Sequence, residues 1–394
     1  MTGILDGIRV LDFGRFIAGP YCATLLADLG AEVIRVERIG GGEDRYTTPV
    51  TSQGEGAGFL QWGRNKRGMT LNPTCDEGRG IVEKLVRSAD IVVANLPPAS
   101  LTALGLDYES LCTIRPDIIL TTATAFGSSG PYAERVGFDG VAQAMSGNMH
   151  LTGYADEPMK NNFPYVDYST AAFTALGTLA ALIHRNESGE GQHVEGSLLA
   201  TSITIGNAAL IEQSQLGINR VGSGNRGQTA APSDTFKTRD GWILVQVVGN
   251  PIYRRWADLM GEPEWLDDLL FGTDELRGNN AEAISQRMAR WCETRTTSEA
   301  MECLVAARIP CGEVLSPEQT LRNEQVLNSD ILERVDYPGL NTPAPVARIP
   351  VTLSKTPPEI RNAPPTLGQD SAEILSELGY SDVEIADLKQ KRVI

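Results

Sequence analysis

Three histidines in 394 residues, His150, His184 and His193, with no HExxH-type spacing, leave little material for a metal site or a serine–histidine pair. The six cysteines, Cys22, Cys75, Cys112, Cys292, Cys303 and Cys311, form no CxxC pair and read as free thiols, so no metal is expected. Chemistry is then sought among carboxylates. Asp167 stands out because it opens the apolar run Tyr168 to Ile183, which has no charge, no proline and one glycine. That run predicts a buried helix, too short for a membrane span. An aspartate at its start has two readings. It is an N-cap for the unpaired N–H groups, or a nucleophile whose ionised form the helix end favours and whose reactivity burial raises. Spacing alone leaves both open.

The elements around that helix predict a large α/β core. Ile8 to Phe13, Pro20 to Leu29 and Ala31 to Glu37 read as strand, helix and strand, one right-handed βαβ unit. Further alternation follows: a helix near Glu77 to Ser88 and strands at Asp90 to Asn95 and near Asp117 to Thr122. This makes a mostly parallel sheet, whose ligands lie beyond the carboxyl ends of its strands. Asn95, Ala123 to Gly127 and the first turn, Gly14 to Pro20, face that crevice. The turn lacks GxGxxG, so Glu37 is a poor match for the ribose-binding acid of a nicotinamide enzyme. Arg35, Arg38, Arg64, Lys66 and Arg67 either line a phosphate site or form internal ion pairs.

A net charge of −16 argues against nucleic acid as a partner. With no export signal and no spanning segment read in the sequence, a cytoplasmic protein is expected. Beyond Ala200 the texture changes to a glycine-rich segment, Val221 to Gln228, and a hairpin turning at Asp240–Gly241. Helices near Ile252 to Met260, Ala281 to Thr294 and Ser298 to Arg308 precede a strand around Pro310 to Leu315, a smaller α+β unit. Tyr337 to Pro365 reads as an extended connection, and Ser371 to Lys391 as two short helices.

These pieces resemble the class III coenzyme A transferases, the CaiB/BaiF family. The likeness is carried by LDGIRVLDFGRFIAGPYCATLLADLGAEVIRVER, NKRGMTL, ADIVVAN, FGSSGPYAERVGFDGVAQAMSG, YVDYSTAAFTALGTLAALIHRNESGEGQHVEGSLLA, IPCGEVLS and LGQDSAEILSELGYS, in that order. The resemblance implies an interlocked homodimer of Rossmann-like large domains. Residues 1–200 and 333–394 would form the large CoA-binding domain, 201–232 a linker with the glycine-rich loop, and 233–332 the small domain. It also implies an EC 2.8.3 enzyme using coenzyme A as co-substrate. Asp167 would attack an acyl-CoA thioester and carry first a mixed anhydride, then an aspartyl-CoA thioester.

By the same resemblance CoA contacts fall at Arg15, Phe16, Ile17 and Ala18, at Arg38, at Asn65, Lys66 and Arg67, at Asn95, and at Phe138. Gly222, Gly224, Gly227 and Gln228 belong to a loop expected to cover the carboxylate. Formyl-CoA transferase has histidine and glutamine where this chain has Arg15 and Ile17, and a CoA-binding arginine at the position of Ala103. Its loop is an almost pure glycine run, which here reads GSGNRG. These differences weigh against formyl-CoA and oxalate as substrates, and Arg15 and Arg226 point toward dicarboxylates. Two alternatives accompany the transferase reading. The related α-methylacyl-CoA racemases use a histidine in a GHD segment, where this chain has Gly137-Phe138-Asp139, and phenylalanine carries no proton. A non-catalytic CoA-binding subunit is the other.

Overall fold

The computed structural model describes residues 3–394, which divide into two compact units. The first comprises the chain up to Asn148, Asn161–Ile211 and Leu327–Ile394; the second comprises Met149–Lys160 and Glu212–Val326.

The first unit is built on six parallel strands: β1 (Arg9–Asp12), β2 (Glu32–Glu37), β3 (Lys66–Thr70), β4 (Ile91–Ala94), β5 (Ile119–Thr124) and β6 (His193–Ser197). Their spatial order is β3-β2-β1-β4-β5-β6. Because side chains alternate across a strand, neighbouring residues feed opposite faces. Leu11, Ile34, Val92 and Leu120 join one core with helix α2 (Asp76–Ser88) and the C-terminal helices Ser371–Glu377 and Asp382–Gln390. Val10, Val33, Val93 and Ile119 join the other, under helices α1 (Ala18–Asp28) and Tyr165–Ser188.

Strand order reverses between β1 and β4, so their carboxyl ends open a crevice. The turn after β1 is closed tightly. A Cβ on Gly14 would lie 2.7 Å from the Pro20 ring and 2.8 Å from Asp12 Oδ1, so only glycine fits. Phe16 follows at φ 59°, a left-handed conformation unusual for an aromatic residue and one that collects at functional sites.

Two more helices frame the crevice, α3 (Asp139–Met145) and α4 (Tyr165–Ser188). With 24 residues, α4 is longer than the apolar run alone predicts, and by length and composition it could cross a membrane. It is instead packed on α1, β5 and β6 through Ala171, Ala175, Ala181 and Leu182. Its buried threonines fold their hydroxyls back: Thr174 and Thr178 donate to the carbonyls of Thr170 and Thr174. Helix α5 (Leu198–Leu216) continues directly from β6, through much of the stretch expected to be a connection.

In the second unit, Ser233–Lys237, Trp242–Gln246 and Cys311–Glu313 form an antiparallel sheet. Helices Asn250–Met260, Ala281–Glu293 and Thr297–Ala306 pack on a core centred on Trp256, Ile284 and Met288. The hairpin turn at Asp240–Gly241 and all three helices lie where the sequence places them.

Candidate active site

Asp167 sits in the first turn of α4, two residues beyond its start, and is not the N-cap; Pro164 occupies that position. The capping that spacing suggested for Asp167 is done by Asp139, from the first turn of α3. Asp139 Oδ2 accepts from the backbone N–H of Val166 at 2.7 Å and of Asp167 at 3.0 Å. Among the described residues, the Asp167 carboxylate has neither a hydrogen-bond donor nor a cation paired with it.

That carboxylate faces a cavity of about 280 Å³ at the crevice, with Arg15, Phe16, Ala18, Asn95 and Phe138 among its walls. Burial first, and then the nearby Asp139 charge, raise the Asp167 pKa to about 7. Phe138 stands edge-on to Phe16, their rings 5.2 Å apart at the cavity wall. Asn95 fixes the floor of the turn: its Oδ1 accepts from Arg15 N at 2.6 Å and its Nδ2 donates to Arg15 O at 2.7 Å. Ile17 precedes α1 as its N-cap and packs into the core below rather than lining the cavity.

A second cavity, also of about 280 Å³, shares Arg15 and Leu96 with the first and is bounded by Arg38. Arg15 and Arg38 both reach Glu43, an exposed acid, Arg38 at 2.8 Å. Arg15 also lies 3.6 Å from the buried Asp44, and of the two guanidinium groups that of Arg38 is the more exposed.

The structure does not bring Asn65, Lys66 and Arg67 to either cavity. Each is used inside the unit. Asn65 donates to Asp28 and Glu359 O and accepts the N–H groups of Arg361 and Asn362. Lys66 is buried, 2.8 Å from Asp12 and 2.7 Å from Pro20 O. Burial lowers its pKa to about 8, against the opposing pull of Asp12. Arg67 clasps Glu32 and Glu377. Arg35 and Arg64 are likewise paired, with Asp44 and Asp28. Of the five cations read as a possible phosphate site, Arg38 alone borders a crevice cavity with an exposed head; the others take the ion-pair reading. Glu37 is no ribose ligand either. Burial opposes its charge, but Arg35 and Arg45 outweigh that and hold its pKa near 2.

The glycine-rich loop lies in the second unit, against the small hairpin Gly153–Pro158. Gly224 N donates to Gly153 O at 2.5 Å, and a Cβ on Gly222 would come within 2.7 Å of that carbonyl. Gly227 N donates to Ser233 O at 2.6 Å, and Gln228 Nε2 to Val221 O at 2.7 Å. Gly222, Gly224, Gly227 and Gln228 line a cavity of about 940 Å³ in that unit. Arg226 is paired with Glu282.

Sequence reasoning missed Asp139 as the cap of α4. The segment Gly137-Phe138-Asp139 drew attention for its phenylalanine, and no local pattern connects an aspartate to an N–H group 27 residues later.

In this doubly wound α/β unit Asp167 lines a cavity at the carboxyl ends of β1 and β4, the place where open sheets of this kind bind their ligands. Residues 5–371 match the family model "CoA-transferase family III", and the chain belongs to that family; it is a CoA-transferase. It is 32% identical to the succinyl-CoA–D-citramalate CoA-transferase of Chloroflexus aurantiacus, over 99% of this chain and 98% of that one. To the succinate–glutarate CoA-transferase of Agrobacterium fabrum it is also 32% identical, over 95% of each. The crystal structure of a CaiB/BaiF family protein from Brucella suis superimposes with a TM-score of 0.84 at 29% identity, covering 96% of this chain and all of that one.

Proposed function

We propose that this enzyme moves coenzyme A between short dicarboxylic acids through covalent intermediates on Asp167. The observation that carries the reading is the Asp167 carboxylate itself: in a cavity wall, with no donor or cation on its oxygens and a pKa raised to about 7. A carboxylate so placed is a better nucleophile than a solvated one.

An Asp167 oxygen attacks the thioester carbonyl, the C–S bond breaks, and CoA leaves as thiolate with a mixed anhydride behind it. The thiolate attacks the aspartyl carbonyl and releases the donor acid as its carboxylate. The acceptor carboxylate then attacks the aspartyl-CoA thioester, expelling thiolate again. A last attack by thiolate on the acceptor's acyl carbon frees the new acyl-CoA and restores Asp167. Each intermediate is an activated acyl group, so every step runs in both directions.

Arg15 and Arg38 would take the phosphate end of CoA, because both border the second cavity and neither guanidinium group is buried. Phe16, Ala18, Asn95 and Phe138 would flank the thiol end. Dicarboxylates are favoured as substrates by the names of the relatives, which act on succinyl, citramalate and glutarate compounds. Racemisation is disfavoured by Phe138, which stands in the same cavity as Asp167 and carries no proton. We also propose an interlocked homodimer, consistent with the exposed apolar residues of α4 and α5.

The test is intact mass and peptide mapping after incubation with succinyl-CoA and a panel of other thioesters. A CoA adduct on the peptide carrying Asp167, removed by hydroxylamine and absent from Asp167→Ala, is the expected result. Tight CoA binding without any adduct, together with exchange of the α-proton into solvent, would replace this reading with proton transfer.

A further inference from the structure

The geometry points to Asp139 as the positioning residue of this site: it takes up the N–H groups beside Asp167, so that the Asp167 carboxylate is left facing the cavity without a donor. The inference deepens the proposed function and rests on Asp167 being the nucleophile.

The first turn of a helix offers four N–H groups, and an acid at its third position ordinarily draws on them. Here the N-cap is Pro164, which has no N–H, and the other three are committed elsewhere. Tyr165 N donates to Phe163 O at 2.9 Å. Val166 N and Asp167 N both go to Asp139 Oδ2. Asp139 is itself held: its Oδ1 accepts from Gln143 Nε2, and Gln143 Oε1 accepts from Asn161 N at 2.8 Å. The chain Asn161–Gln143–Asp139 thus ties α3 to the entry of α4, with Asp139 and Gln143 buried. Three N–H donors converge on one carboxylate while its neighbour has none. In this division of labour one acid holds the helix entry and the other is left open to the cavity.

The other titratable groups around Asp167 are Arg15 from the first turn, Glu134 and Arg135 from the loop before α3, Tyr21 from α1, and Tyr165 and Tyr168 from its own helix. Arg15 is bound to Glu43 and Arg135 lies over the Tyr132 ring. Neither compensates the charge of Asp139 at Asp167.

The experiment uses the full chain carrying ¹³C-carboxyl aspartate, with the Asp167 resonance assigned by its loss in Asp167→Asn. Its titration is read without substrate, and CoA-adduct formation from succinyl-CoA is timed in parallel. In Asp139→Asn the amide oxygen keeps the two N–H groups but the charge is gone. The Asp167 midpoint should fall by about one pH unit or more, and adduct formation at pH 8 should slow about tenfold as the nucleophile becomes less basic. Asp139→Glu keeps the charge and shifts the acceptor by one methylene; there the midpoint should stay near 7 while adduct formation slows. An unchanged midpoint in Asp139→Asn, or a midpoint near that of a free aspartate in Asp139→Glu, overturns the inference. The second variant decides if the first does not fold. Absence of an adduct in the wild-type chain would instead overturn the nucleophile reading and leave the titration standing as the test of Asp139.

Discussion

An aspartate in the first turn of a helix usually ionises more readily than a free one, because the dipole and the open N–H groups favour its charge. Asp167 does the reverse, and the shift to about 7, from burial first and Asp139 second, has consequences of opposite sign for rate and stability. The nucleophile is the ionised form, so kcat/KM for the acyl-CoA donor should rise about tenfold per pH unit below 7 and level off above it. A flat profile between pH 5.5 and 7 would contradict this. For stability, the folded chain holds a proton between pH 4 and 7 that the unfolded chain has released. Stability therefore falls as pH rises through that window and stays lower above it. Asp167→Asn removes the effect. It should match the wild type near pH 4, exceed it by about 4 kcal/mol at pH 8 in urea melts, and lose turnover by about 10⁴-fold or more.

At the scale of elements, the crevice is held by polar groups that serve the fold before they serve a ligand. Lys66 on β3 joins Asp12 on β1 to Pro20 O at the start of α1, and the other oxygen of Asp12 accepts from Gly14 N at 2.8 Å. Lys66→Met removes the ammonium from a buried carboxylate that keeps Gly14 N and from a buried carbonyl that keeps the Thr24 hydroxyl, breaking a buried ion pair at a loss of about 3–5 kcal/mol. Its thermal midpoint should drop sharply, with KM for the acyl-CoA little changed in the fraction that stays folded. Asn95→Ala should behave differently. It releases the Arg15 turn while leaving the ion pairs in place, raising KM about tenfold at a stability cost of about 1–2 kcal/mol. Measuring KM and the urea midpoint of both variants side by side separates a structural cation from a turn clamp.

The contrast between these residues also marks what the sequence discloses. Four of the six sheet strands, the crevice and Asn95 beside it were legible because alternation is written in local pattern; β3 and β6 were not read as strands. The fate of each cation was not. Arg64 meets Asp28 across 36 residues and Arg67 meets Glu377 across 310. Such pairings belong to the packed sheet, and nothing in GRNKRGMTL separates them from a phosphate site. Asp167 was legible as a residue at a helix entry. Its freedom from capping was not, since that depends on an acid in another helix.

For the whole molecule, the single chain leaves apolar side chains of two helices exposed. On α4, Leu176 is 64% exposed and Ile183 62%, although the opposite face of the same helix is fully buried. Helix α5 is richly apolar, yet only Leu198, Thr201 and Ser202 of its 19 residues are buried. Large contiguous apolar faces mark interaction surfaces, and obligate interfaces run to about 2,000–5,000 Å². A second copy is the partner proposed here, and interlocking makes the proposal sharper than dimerisation alone. Chains threaded through one another cannot part while folded. Sedimentation should therefore give twice the 42.5 kDa chain mass, unchanged on dilution to nanomolar concentration, while the unfolding midpoint rises with chain concentration because folding and association are one equilibrium. A side-by-side dimer would separate on dilution without unfolding. Leu176→Lys with Ile183→Lys extends the test to the apolar face: charges placed there should leave little folded dimer, and a stable folded monomer would show that the face needs no partner.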